Sequence, residues 1–292
     1  MITNAKKLRN AIAENKYLVV PGGYDALSVA LAESIGFKAA YVGGYSLAAS
    51  ITRTPDFGMI TQTEMLDASI NIINSVDIPI VCDIDQGFGA LTNLVRTIHA
   101  YENAGVAAVH IEDQPFPKKC AMMPNRTIVS IEDNVKRLKA AIEIRNNPDF
   151  MIIARTDSQQ VEGIDGVLRR LDAYLNAGAD YGLYCEFQSE EDLERVAKEF
   201  PGKVVLFFAE NRAPIAHMPF SYYGEMGYPI LINCTGAIGA AHKAIRDLYQ
   251  TMMDTGQFSV EYHTEHCTTL GENNALSRIE HWNGLRDKYG ML

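Results

Sequence analysis

The chain has 292 residues, 47% hydrophobic and 21% charged, with 22 Gly and 11 Pro, a composition that excludes disordered, collagenous and coiled-coil proteins. Thirty-six acidic against 26 basic side chains give a formal charge of −10, and no basic run exists, so nucleic acid and anionic membrane are excluded as partners. The longest weakly polar stretch, 36–51, contains Lys38 and adjacent glycines, so no membrane span is expected.

Asn10, Glu14, Asn15 and Lys16 interrupt what would have to be an apolar signal core, and no export is expected. Cys82, Cys120, Cys185, Cys234 and Cys267 are odd in number and lack a C-x-x-C pair. Neither a disulfide framework nor a zinc knuckle is indicated, and a cytoplasmic location is expected.

In chain order, short β-branched and aromatic runs fall at 17–20, 39–42, 78–83, 107–112, 150–155, 181–185, 204–208 and 229–233. Helical patterns separate them, such as 92–104, with Leu94, Val95, Ile98 and Tyr101 on one face, and 131–145, opened by Ser130 with Asp133 three residues on. Ser34-Ile-Gly36, Asn103-Ala-Gly105 and Asn176-Ala-Gly178 each put Gly where a left-handed helix end is wanted, just before the next strand. Eight βα units with no Pro- or Ser-rich linker predict a single α/β domain, a (β/α)8 TIM barrel over 1–292, with 255–292 as a C-terminal helical extension. An open doubly wound sheet is the alternative.

In such a barrel the chemistry gathers at the C-terminal ends of the strands. Those ends carry Gly43-Gly44-Tyr45, Asp83-Ile84-Asp85, Glu112-Asp113, Arg155-Thr156-Asp157, Glu186 and Asn211. Several acids at one rim repel one another unless a cation sits among them, and an all-oxygen set points to Mg²⁺ or Mn²⁺. The competing reading of any single acid is a helix cap. Arg155 reads either as an ion-pair partner of those acids or as a bidentate clamp on a substrate carboxylate. Cys120 follows Lys118 and Lys119, whose charge is expected to lower its thiol pKa and suit it to proton transfer; inert packing is the alternative. Gly87-Phe88-Gly89 lacks the third glycine of a nucleotide loop and reads as a tight turn. His263, His266 and Cys267 lie past the last strand and read as a surface or oligomer helix rather than a metal site.

The strings Asp83-Ile-Asp-Gln-Gly-Phe-Gly89, Val109-His-Ile-Glu-Asp-Gln114, Lys118-Lys-Cys120, Pro124-Asn-Arg-Thr-Ile-Val-Ser130 and Ile153-Ala-Arg-Thr-Asp157 resemble the isocitrate lyase/phosphoenolpyruvate mutase superfamily, and within it the methylisocitrate lyase branch. The resemblance implies an α/β barrel that binds Mg²⁺ and stabilises an enolate of a 2-oxoacid, as a homotetramer exchanging a C-terminal helix between subunits. By motif it implies Asp83 and Asp85 as metal acids, Glu112 and Asp56 as water-mediated supports, and Gly43, Gly44 and Tyr45 as the loop whose amides hold the oxoacid carboxylate. It further implies Arg155 as the substrate arginine, Cys120 as the acid on a gating loop over 117–126, and Asn211 as a substrate contact.

The departures are local. Ala121 and Met122 stand where the lyases have Gly-His, Gly43 where a Ser is usual, and Ala213 where a Thr is usual. Either Glu186 or Cys185 takes the place of the family glutamate. The missing groups belong to the part of the site that grips the leaving acid. Met122, Met123, Tyr45 and Cys234 are candidates to line the substrate pocket.

The expected activity is Mg²⁺-dependent carbon–carbon cleavage of a small carboxylate substrate, a 2-hydroxy di- or tricarboxylate, to a 2-oxoacid and a carboxylic acid. Alternatives on the same scaffold are phosphoenolpyruvate phosphonomutase or phosphonopyruvate hydrolase, oxaloacetate decarboxylase or hydrolase, and a barrel that binds without catalysing.

Overall fold

The computed structural model describes residues 2–184, 186–208 and 218–290. Eight strands form one closed, all-parallel barrel in chain order: β1 (Leu18–Gly23), β2 (Ala40–Val42), β3 (Ile80–Asp83), β4 (Ala108–Glu112), β5 (Met151–Thr156), β6 (Tyr181–Tyr184), β7 (Val204–Phe208) and β8 (Ile230–Asn233). The register Leu18↔Ile230 through Pro21↔Asn233 joins β1 to β8 and excludes the open sheet. All eight runs read from the sequence are strands.

The punctuation works as its chemistry requires. Gly36, Gly105 and Gly178 have φ of 107°, 86° and 106°, a left-handed conformation nearly free of cost only for glycine. The helix expected over 131–145 spans Ile131–Ile144, with the Ser130 hydroxyl accepting from the Asp133 amide at 3.1 Å.

Alternation along the strands decides what faces the barrel axis. Tyr41, Val81, Ala108, Met151, Ile153, Val205, Phe207, Ile230 and Ile232 belong to one buried cluster. Their chain neighbours Ala40, Val42, Ile80, Cys82, Val109, Ile111, Ile152 and Ala154 belong to another. This period of two puts one set inside the barrel and the other beneath the helices. Continuing the inward set in steps of two reaches Gly43, Asp83, Arg155 and Cys234 and, through His110, Glu112, so the polar residues enter the mouth by parity alone.

A second compact unit, Ile238–Leu292, carries most of the helix Gly236–Thr255 and the helices Val260–His266, Leu270–Leu276 and Ile279–Tyr289. His263 and His266 make ring contacts with Phe258 and Tyr262, inside this unit. Among the described residues, no helix is long and apolar enough to cross a membrane.

Candidate active site

Past β3 the chain does not stay extended as the two-residue spacing of Asp83 and Asp85 suggests. Asp85 takes φ +48°, a left-handed conformation that Asp tolerates, and its amide donates to Asp83 Oδ1 at 2.9 Å. The Gly87 amide then closes a turn over 84–87 on the Ile84 carbonyl at 2.8 Å, so the tight turn lies ahead of the 87–89 expected, where Gly87, Phe88 and Gly89 take φ of 92°, 59° and 144°. The acids converge nevertheless. A Cβ built on Gly44 would lie 3.2 Å from Asp83 Oδ2, 3.3 Å from Asp85 Oδ1 and 3.7 Å from Asp56 Oδ1. Three carboxylates from two segments thus face one point, and a side chain at 44 would crowd them. The Gly44 amide, expected on a substrate carboxylate, donates to Asp83 Oδ2 at 3.1 Å.

A cation of the chain itself answers this charge. Lys118 is 2% exposed, with Nζ 2.6 Å from Asp56 Oδ1 and 2.9 Å from Asp85 Oδ1. Burial opposes its charge, but Asp85, Glu112, Asp56 and Asp83 together hold its pKa well above the usual lysine value. Burial is also the main reason that Asp85 is raised to about 7, with Asp83 and Asp56 adding to it against Lys118. Burial works against Asp83 too, yet the basic groups facing it and the Asp85 amide hold it below the usual carboxylate range. Glu112 is fully buried and burial raises it; among the described residues its Oε1 has no hydrogen-bond partner, and Oε2 lies 3.4 Å from Arg155.

Among the described residues no three His, Cys, Asp or Glu side chains stand ready-made as a closed metal cage. Mg²⁺ does not need one, since it retains waters and takes one or two carboxylates with substrate oxygens. Converging acids, with a Glu112 Oε1 that has no partner among the described residues, are the oxygen donor set of a hard cation, and Lys118 stands between two of them as the positive charge such an ion would bring; the residues fit it.

Arg155 is an ion-pair partner of the acids, the first of its two sequence readings, and its place on the cavity wall leaves the second open to a ligand. Its Nε and Nη2 bind the two oxygens of Asp157 at 2.9 and 3.1 Å, it lies over the Phe207 ring at 5.8 Å, and it lines the cavity. Inside the barrel His110 Nε2 meets the Tyr41 hydroxyl at 2.9 Å, and burial lowers His110 to about 4, so the imidazole is neutral.

The loop 117–126 is closed over the mouth. Besides Lys118, the Cys120 amide donates to the Asp56 carbonyl at 2.9 Å, and Arg126 pairs with Glu186, both buried. Glu186, one of the two candidates for the family glutamate and so for a substrate contact, therefore grips the lid. Cys120 corrects the expected sign of its shift. Burial, followed by the Asp56 charge, raises the thiol pKa, and the lowering by Lys118 is smaller because that ammonium is committed to the acids.

Beneath the lid lies a cavity of about 270 Å³, whose walls include the polar Asp56, Asp83, Arg155 and Cys120 and the apolar Ala121, Met122, Met123 and Phe207. Gly43, Tyr45 and Cys234 also line it, as expected. The space that a serine would need at 43 is taken: a Cβ there would lie 2.6 Å from Tyr41 Cε1. Asn211 and Cys185 lie outside the described residues. The sequence reading did not single out Lys118 as a partner of the acids, nor Gln114 and Arg126, although all three stand inside the quoted motifs.

Residues 8–253 match the family described as Phosphoenolpyruvate phosphomutase. The chain belongs to that family. It is 39% identical over 280 residues to 2,3-dimethylmalate lyase of Eubacterium barkeri, covering 96% of both chains. Among solved structures it superposes on 2,3-dimethylmalate lyase, described as a PEP mutase/isocitrate lyase superfamily member, with TM-score 0.90, 31% identity and coverage of 99% and 96%. It also superposes on phosphonopyruvate hydrolase in complex with oxalate and Mg²⁺, with TM-score 0.87, 28% identity and coverage of 98% and 99%. This family member is an enzyme, and its superfamily includes lyases, mutases and hydrolases that share the barrel.

Proposed function

We propose that the protein is a divalent-metal-dependent carbon–carbon lyase acting on a 2-hydroxy dicarboxylate of the alkyl-substituted malate type. The observation that carries this reading is the lid's face on the cavity: a protonated thiol, Cys120, next to Ala121, Met122 and Met123. A thiol kept protonated by burial is a proton donor, and the methyl and thioether groups beside it suit an alkyl substituent better than a further carboxylate. The cavity volume matches a small diacid.

When bound at Asp83 and Asp85, with Glu112 and Asp56 supporting through water, Mg²⁺ supplies positive charge for the oxygens of the 2-oxoacid. Arg155, fixed by Asp157, orients the substrate carboxylate and offsets the charge that develops as the carbon–carbon bond breaks. Cleavage after loss of the hydroxyl proton leaves a 2-oxoacid and a carboxylate enolate. The Cys120 thiol gives its proton to the enolate carbon, and the hydroxyl proton, taken up before cleavage by a basic group of the site, returns to the thiolate. Lys118, Arg126 and the lid exclude water while the enolate exists.

In the cell we place the protein in the cytoplasm. Cys82, Cys120, Cys234 and Cys267 are free thiols, which suits a reducing compartment. The assembly we propose is a homotetramer built through 255–292, whose helices expose Val260, Leu270 and Trp282.

The test is release of 2-oxoacid from a panel of malates bearing 2- and 3-alkyl groups, against 2-methylisocitrate and phosphonopyruvate, in Mg²⁺. Turnover of alkylmalates, cut by orders of magnitude in Cys120→Ser with Mg²⁺ affinity retained, is the expected result. Preference for the tricarboxylate, phosphate release from phosphonopyruvate, or near-normal turnover of Cys120→Ser contradicts the proposal.

A further inference from the structure

Gln114 follows Asp113 beyond the end of β4, is 1% exposed, and does not line the cavity. Its side chain is nevertheless committed on three counts. Its Oε1 accepts from the Lys119 amide at 3.0 Å, and its Nε2 donates to the Lys119 carbonyl at 2.8 Å and to Asp157 Oδ2 at 2.6 Å. The amide orientation follows from its partners, because a peptide N–H must meet the oxygen while a carbonyl and a carboxylate must meet the NH₂.

Asp157 is the carboxylate that holds Arg155 through both oxygens. Lys119 stands between Lys118, whose ammonium sits among the acids, and Cys120, whose thiol faces the cavity. One buried amide therefore bridges the arginine's anchor and the middle of the lid.

We propose that Gln114 is the latch of the closed lid and a positioning residue for Cys120, tying the backbone of Lys119 to the carboxylate that anchors Arg155. The residue type is dictated by the three bonds. Glutamate, almost the same shape, keeps the bond from the Lys119 amide but turns both donor contacts into repulsion against Asp157 and the Lys119 carbonyl. Asparagine is one methylene short of bridging the two partners. A ligand carboxylate that engages Arg155 braces Asp157, and through Gln114 the closed lid with it. This coupling rests on the proposed role of Arg155; the latch itself does not.

Lid opening is read without turnover, as the rate of iodoacetamide labelling at Cys120, followed by peptide mass spectrometry on the intact protein with Cys267 of the C-terminal unit as reference. Three hydrogen bonds, one buried and two partly buried, are lost in Gln114→Met and raise the Cys120 rate at least about tenfold while Cys267 is unchanged. Gln114→Glu, the second variant should Gln114→Met fail to fold, raises it similarly. A rate within about twofold of the native protein in either folded variant, too little for even one lost hydrogen bond, overturns the latch.

Oxalate with Mg²⁺ then tests the link to Arg155. It slows labelling in the native protein and clearly less in Gln114→Met; equal slowing in both overturns the coupling through Asp157. No slowing in the native protein counts against the proposed function instead, and the comparison without oxalate still decides the latch.

Discussion

Replacing Lys118 by methionine removes the ammonium from between Asp56 and Asp85 while keeping a flexible chain of similar length in the lid. At 2.6 and 2.9 Å, each ion pair is worth about 6 kcal/mol of Coulomb energy at an effective dielectric of about 20, much of it spent on desolvating three charges. Breaking a buried pair by deleting one partner costs about 3–5 kcal/mol, because the remaining charges stay buried and uncompensated. In a barrel of this size that loss lowers the melting temperature by roughly 10 °C.

The site makes a sharper statement than the loss alone, since a divalent cation bound to the same acids replaces the missing charge. Melting followed by circular dichroism in EDTA and in saturating Mg²⁺ reads both effects. The variant melts well below the native protein in EDTA, and Mg²⁺ raises its midpoint by more than it raises the native one. A variant as stable as the native protein in EDTA, or an equal response of both to Mg²⁺, refutes the reasoning that the acids form a cation site.

Gly43→Ser, which restores the residue usual in the family, brings a side chain to within 2.6 Å of the Tyr41 ring. It displaces the hydroxyl bonded to His110 and costs about 1–3 kcal/mol in urea unfolding; an unchanged midpoint contradicts that packing. Glu162 receives both Nε and Nη2 of buried Arg170, at 3.0 and 2.7 Å, and these bonds are the largest reason that its carboxyl lies below the usual 4.5. A depressed folded pKa means stability that is present above about pH 4.5 and lost as pH falls through the folded value. Glu162→Gln therefore costs about 1–2 kcal/mol at pH 7, and the gap from the native protein closes at lower pH; a gap independent of pH denies the ion pair its part.

The barrel was legible because its signals are local. Glycine ends three helices for reasons of backbone sterics, and a period of two delivers Asp83, Glu112 and Arg155 to one mouth whatever their partners are. The acids were legible for the same reason, and the family motifs added Asp56. Contacts across long chain separations were not. That Lys118 reaches back to Asp56 and Asp85 depends on the lid lying closed, which no spacing encodes. The sign of the Cys120 shift failed because neighbouring charge in sequence says nothing about burial or about where Lys118 spends its charge. Tyr41 in the space beside Gly43 is likewise a matter of side-chain direction inside the barrel, and it gives the absence of a serine there a steric reason.

The most direct measurement is anomalous scattering from crystals grown with Mn²⁺ and oxalate. The account places one strong peak at the barrel mouth beside Gly44, within reach of Asp83 and Asp85 directly or through a single water, with oxalate between it and Arg155. A peak elsewhere on the chain, or a fully closed mouth with Lys118 still among the acids and no metal bound at saturating Mn²⁺, contradicts it.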